Sequence, residues 1–169
     1  MTSRAVTNFM KQQGFVEEPP DACDMHFEGL NFQPRIVFPT VIVAILLQLV
    51  SITLSVGLHF LISAVLWWNT LRPALNPFEL AYNRRVAGPN GRLPLAPAPR
   101  RMAQGMAAAF NLGAGLALVY GMMPLAWVLQ ATLVAAFSAL LFGRFCLGAY
   151  VYHLLKGRVA FANSTLPWA

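Results

Sequence analysis

Two thiols and three imidazoles are the side chains in this sequence with the plainest reactivity, and their spacing limits what they can do. Cys146 and His153 lie seven residues apart, two helical turns, so one helix would carry both on one face. A base beside a thiol does not by itself make a nucleophile. Cys23-Asp24-Met25-His26 has the spacing of half a metal site, but no second half follows, and structural zinc needs four ligands. His59 sits in an uncharged stretch. An imidazole there is either a neutral group hydrogen-bonded to a neighbouring helix, the commoner case, or a ligand to haem iron or chlorophyll magnesium. No Ser-His-Asp set, phosphate-binding loop, carboxylate pair or complete zinc motif occurs.

The elements that would position these groups follow from composition and charge. Of 169 residues, 57% are apolar and 11% charged, and mean hydropathy is +0.57. Soluble domains carry about 25% charged residues, so this chain reads as an integral membrane protein. The acids are Glu17, Glu18, Asp21, Asp24, Glu28 and Glu79, and none follows. The net charge of +6 lies mostly at the edges of apolar runs, which marks topology rather than nucleic-acid binding.

Residues 1–35 read as a polar, acidic tail, irregular apart from a short helix near 6–15, with no removable signal peptide. The uncharged run 36–71 would make a helix of about 54 Å, against a hydrocarbon core of about 30 Å. Two spans of about 16–17 residues, turning within Ser51–Gly57, fit better, though each is short for a full crossing. Residues 72–101 hold six prolines and form a connecting loop with one interfacial helix at 78–86. Residues 102–156 form a second hairpin, with spans near 103–122 and 125–150 broken at Met122-Met123-Pro124, and 157–169 is a tail. This all-α, four-span arrangement of two hairpins puts both termini and the loop on one side. Every base except Arg144 then lies there, and the positive-inside rule makes that side the cytoplasm. Arg144, about 20 residues past Pro124, returns to the same interface and snorkels.

Small residues recur at every fourth position of the third span (Gly105, Ala109, Gly113, Ala117, Gly121) and of the fourth (Ala131, Ala135, Ala139, Gly143). Such faces let membrane helices approach closely, and the two ladders are expected to pack against each other or, failing that, against a foreign helix.

Pro99-Arg-Arg-Met-Ala-Gln-Gly105, Asn76-Pro-Phe-Glu-Leu-Ala81 and Gly143-Arg-Phe-Cys146-Leu-Gly-Ala149-Tyr-Val-Tyr152 together resemble a bacterial membrane family known as domain of unknown function 4395, over about residues 32–156. The resemblance implies four helices. It also implies a C-terminal Cys-x-x-Cys, pointing to thiol redox or metal chemistry, but here the second position is Ala149. A dithiol cycle needs a resolving thiol, and Cys23 lies far away. The segment Gly57–Trp68, with His59, Trp67 and Trp68, resembles faintly the histidine-plus-tryptophan helix of bacterial light-harvesting polypeptides.

These readings converge on a non-catalytic accessory subunit of a larger assembly in a bacterial inner membrane, photosynthetic or respiratory, offering helix surface to other membrane subunits and to lipid. Bacteriochlorophyll, carotenoid or haem would then be held together with those partners. The alternatives are thiol-redox or sulfur handling through Cys146, and tetrapyrrole binding through His59. Proton or ion transport lacks its usual carriers, since no acid lies in any span.

Overall fold

The structure, a computed structural model, describes residues 4–15, 20–87 and 92–168, and of residues 20–27 the backbone alone. Among the described residues there are eight α-helices, one 3-10 turn at Pro73–Leu75, and no strand. The helices are α1 (Arg4–Gln13), α2 (Pro20–Leu47), α3 (Ile52–Leu71), α4 (Pro77–Arg85), α5 (Ala98–Val119), α6 (Met123–Leu141), α7 (Leu147–Leu155) and α8 (Val159–Ser164). Four segments are long and apolar enough to cross a membrane: Glu28–Leu47, Ile52–Leu71, Ala98–Val119 and Met123–Leu141.

The first hairpin escapes the short-span problem by reaching further back. Helix α2 runs through Pro34 and Pro39 and gains its length from residues 28–35, assigned above to an irregular tail. A proline inside a helix removes one backbone donor and orphans the carbonyl four residues earlier, which a membrane helix tolerates if a neighbour supplies a partner. For Pro34 that carbonyl is Leu30 O, and the Arg100 guanidinium donates to it through Nη1 at 3.3 Å. The turn also falls earlier than expected. Ser51 caps α3, its hydroxyl accepting from Leu54 N–H at 3.4 Å, so residues 52–57 are helical rather than part of the turn.

The second hairpin turns at Tyr120–Met122, where Gly121 adopts φ +69°. Its second arm is shorter than the expected 125–150. Helix α6 stops at Leu141, the chain bends through residues 142–146, and α7 begins afresh at Leu147. Two backbone features make this bend. Arg144 takes φ +51°, and a Cβ on Gly143 would stand 2.7 Å from Ala139 O, closer than any real side chain allows.

Helix α3 packs mainly on α5, and α5 also touches α6 and α7. The central core holds Val41, Leu66, Ala108, Leu133 and Phe137. Helix α1 buries Val6, Phe9 and Met10 in a second cluster with Leu30, Tyr82, Leu93, Cys146 and Ala149. The N-terminal segment is thus packed into the bundle end and does not trail from it.

Candidate functional site

Two buried polar regions emerge from this packing. The first runs along α3, where Ser55, His59 and Ser63 recur at four-residue intervals on one face and are all buried. Ser55 Oγ donates to Ala44 O of α2 at 2.7 Å, and Ser63 Oγ donates to Ala108 O of α5 at 2.9 Å. Between them His59 is bound at both nitrogens. Its Nδ1–H donates to Asn111 Oδ1 of α5 (3.0 Å), and its Nε2 accepts from Gln130 Nε2–H of α6 (3.1 Å). Asn111 in turn donates through Nδ2 to Ala107 O at 2.9 Å. An axial ligand needs a free nitrogen lone pair, and the one His59 has is already taken. A metal at His59 Nε2 would therefore have to displace the Gln130 amide. Trp67 and Trp68 lie partly exposed at the far end of the helix, with Trp68 Nε1–H donating to Leu75 O.

The α5 ladder enters the α5–α6 seam through Ala117 and Gly113, whereas much of the α6 ladder faces outward. Ala131 and Ala135 of α6 are exposed, as are Ala109, Gly121 and Gly143. That seam is built from Ala117, Leu118 and Ala126 with Leu133 and Phe137. Of the remaining ladder members, Gly105 faces Thr70 of α3, Gly113 approaches Leu129, and Ala139 is half-buried. Among the glycines of α5 the closest approach is at Gly115, off the ladder, where an added Cβ would fall 2.7 Å from the Phe60 ring.

The second polar region surrounds Cys146 at the basic end of the bundle. Cys146 is the residue before α7, and its sulfur faces the backbone N–H groups of Gly148 and Ala149, the Gln13 side chain and the Arg100 guanidinium. Those groups favour a thiolate, but burial outweighs them and pushes the thiol up from its ordinary value. Gly148 permits the arrangement, because a Cβ there would lie 2.5 Å from Ala103 Cα. Ala149, where the second cysteine of a Cys-x-x-Cys would stand, is fully buried.

Helix α1 closes this region. Gln12 Oε1 accepts from Cys146 N–H at 2.8 Å, while Gln12 O accepts from His153 Nε2–H at 3.1 Å. Asn8 Nδ2 donates to Leu166 O at 3.1 Å, fastening α1 to the segment after α8. Cys146 and His153 are therefore brought to one place, but each is bound to Gln12. Below them Arg100 Nε–H donates to Glu79 Oε1 at 3.2 Å, a buried ion pair. Burial still holds the Glu79 carboxyl above its usual range, and Arg100 and Asn76 oppose this only in part.

Two cavities are lined in part by Cys146. One, of about 90 Å³, is apolar and lies between α5, α6 and the start of α7, with Met106, Phe110 and Thr132 along it. The other, of about 70 Å³, is lined by Gln13, Gln104, Gln33, Arg100 and the apolar Phe9 and Leu66. Gln104 Nε2–H donates to Gln33 Oε1 at 2.9 Å, but Gln104 Oε1 and Gln13 Oε1 are buried with no partner. The side chains of Cys23 and His26 lie outside the described residues. Among the described residues no three metal-ligating side chains cluster.

Several of these residues escaped the sequence reading. Gln12, Gln13 and Asn8 lay in a segment read as a tail, although Val6, Phe9, Met10 and Gln13 fall at helical spacing. Glu79 was the single acid in an arginine-rich loop, which in hindsight marks it as a partner. Gln104, Asn111 and Gln130 were amides inside apolar spans, a placement that costs energy unless bonded.

A family model described as Domain of unknown function (DUF4395) matches residues 28–157, and the chain belongs to that family. Neither a curated protein nor a solved structure matches it. Helix α1, which closes the Cys146 region, and helix α8, which packs on α7, both lie outside the matched residues.

Proposed function

We propose that this member of the DUF4395 family is a non-catalytic accessory subunit of a larger assembly in a bacterial inner membrane, with its termini and the 72–101 loop in the cytoplasm. The observation that carries this reading is the state of the Cys146 site. Its resolving position is a buried alanine, and α1 covers the thiol. Burial also keeps the sulfur protonated, so the thiolate that exchange chemistry requires is scarce. The exposed small faces of α5 and α6, including Ala109, Ala131 and Ala135, are left for helices outside the chain or for lipid. With both His59 nitrogens hydrogen-bonded within the bundle, the reading rests on the Cys146 site and on helix surface rather than on a pigment at His59.

Purification from native membranes in mild detergent tests this. The chain is expected to migrate in a complex well above its own 18.5 kDa, with defined membrane subunits identified by mass spectrometry. Migration at its own mass from several gentle extractions would overturn the proposal.

A second reading, monothiol chemistry at Cys146, is favoured by the sulfur's position at the start of α7, facing two backbone N–H groups. It requires Cys146→Ser to abolish a thiol-dependent phenotype in cells; normal growth under oxidative and sulfur stress would remove it.

A further inference from the structure

The two hairpin tips lie at one level, opposite the arginine-rich loop. At the loop end Arg101 Nε–H donates to Thr70 O at 3.0 Å, and at the other end Val56 packs against Ala117, Leu118 and Ala126. At about 1.5 Å per residue, α3 rises about 27 Å from Thr70 to Ile52, and α5 about 28 Å from Arg101 to Tyr120. That does not exceed the hydrocarbon core of about 30 Å, beyond which lies a headgroup layer of about 5–7 Å. The tips are also poorly suited to water. No charged residue occurs between Ile36 and Leu71 or between Met102 and Gly143, yet Leu49, Val50 and Tyr120 are 86%, 84% and 73% exposed. Gln48, the one amide at the tips, has its side-chain nitrogen buried. The turn backbones close on themselves. The N–H groups of Gln48, Leu49, Val50 and Ser51 donate to the carbonyls of Ile45, Leu46 and Leu47. Those of Tyr120, Gly121, Met122 and Met123 donate to Leu116, Leu118, Ala117 and Gly121. Pro124 has no N–H to place. Backbone in lipid has to be satisfied within the chain, whereas a turn in water does not.

Tyr120 and Trp127 mark this end of the bundle as Trp67 and Trp68 mark the other, all four exposed. Such rings settle at the headgroup level. We propose that this end is an interaction surface for lipid: Leu49, Val50, Tyr120 and Met122 stop beneath the far headgroups, against acyl chains, and neither tip reaches the aqueous phase. Partners then approach the described chain laterally or from its basic end, and a soluble domain on the far side finds nothing to hold. The proposal goes beyond the accessory-subunit reading and survives its failure, since a chain that works alone would sit in the bilayer in the same way.

Thiols placed at the tips test this. The full-length chain with Cys23→Ser, which keeps the buried Cys146, is the blank. Val50→Cys, Tyr120→Cys and, at the loop end, Arg85→Cys are added to it singly, all at exposed positions where little packing is lost. Each protein is placed in dioleoyl phosphatidylcholine nanodiscs, which leave both faces open. It is then reacted with the charged sulfonatoethyl methanethiosulfonate, and intact mass follows the label. The thiolate is the reactive form, and an apolar surrounding that raises a thiol pKa by about 2 leaves about 100-fold less of it. Both tip thiols should therefore react about 100-fold more slowly than Arg85→Cys. In dilauroyl phosphatidylcholine, whose thinner core leaves the tips protruding, they should come within about tenfold of it. Tip labelling within about threefold of Arg85→Cys in the dioleoyl discs would place the tips in water and overturn the proposal. Labelling that stays equally slow in the thin bilayer overturns it too, because depth would not be what hides the thiols. So does fast labelling in nanodiscs with slow labelling in freeze-thawed native membranes, since a protein partner would then be the cover.

Discussion

The polar stripe of α3 and the chamber at Cys146 are both buried, both amide-rich and both built from several helices, yet they differ in how their hydrogen bonds close. Around His59 each ring nitrogen has a partner, and Ser55 and Ser63 on either side each reach a backbone carbonyl. Around Cys146 three acceptors are left over, Gln13 Oε1, Gln104 Oε1 and His153 Nδ1, and a cavity is lined by the two glutamines. A closed network fixes helix positions, because any movement would strand a polar group in an apolar surrounding. An open one in an equally buried place has room for something further. By this comparison the histidine is tied into the helix packing at both nitrogens, whereas the amides around Cys146 are only partly bonded.

The largest effect should come from the one place where the chamber depends on charge. Arg100→Met leaves Glu79 buried opposite an apolar side chain and returns Leu30 O to its orphaned state below Pro34. Glu79→Met leaves the guanidinium alone. Each single change is expected to cost about 3–5 kcal/mol, and the double variant clearly less than the sum. Denaturant unfolding in mixed micelles measures this. If each single substitution cost under about 1 kcal/mol, the pair would be a bystander and the chamber's floor would rest on packing.

His59→Leu sharpens the other side of the comparison. It strands Asn111 Oδ1 and the Gln130 amide, each worth about 1–3 kcal/mol when buried. Membrane proteins temper such losses, so about 2 kcal/mol is expected in total. The visible absorption spectrum of the purified protein should be the same with and without the imidazole. A chromophore that disappears in His59→Leu while stability holds would restore the ligand reading.

The four spans could be read from the charge map because charge is a property of composition along the chain. Hydrophobic length and the placement of Arg35, Arg72 and Arg101 need no tertiary information. The chamber could not be read in this way, because its parts are distant in sequence. Gln12 meets Cys146 only because α1 folds back, and Arg100 meets Leu30 only because Pro34 frees a carbonyl. A proline in a polar stretch suggests an irregular chain until the group that repairs the break is known. The small-residue ladders were legible only in part, since Ala117 and Gly113 of α5 meet α6 while the α6 ladder faces outward at two positions. Periodicity shows that a face exists, whereas burial decides whether that face is used within the chain, and Ala131 and Ala135 are not.

The smallest effect concerns the thiol itself, and it separates a sealed chamber from a wet one. Burial raises the Cys146 value in the fold, so the native state holds that proton more tightly than the unfolded chain does. A group raised in this way contributes stability that is fully present below the ordinary thiol range and is lost as pH climbs through the raised value. Comparison with Cys146→Ala isolates the term, because every other titrating group is common to both proteins. The stability difference between them should stay constant through neutral pH. Above the ordinary thiol range it should move against the wild type, by at most about 1.4 kcal/mol per pH unit. If the difference stays flat to alkaline pH, the sulfur is as well solvated in the fold as in the unfolded chain. Water would then already reach past α1, and the contrast between a closed stripe and a closed chamber would reduce to one between a dry region and a wet one.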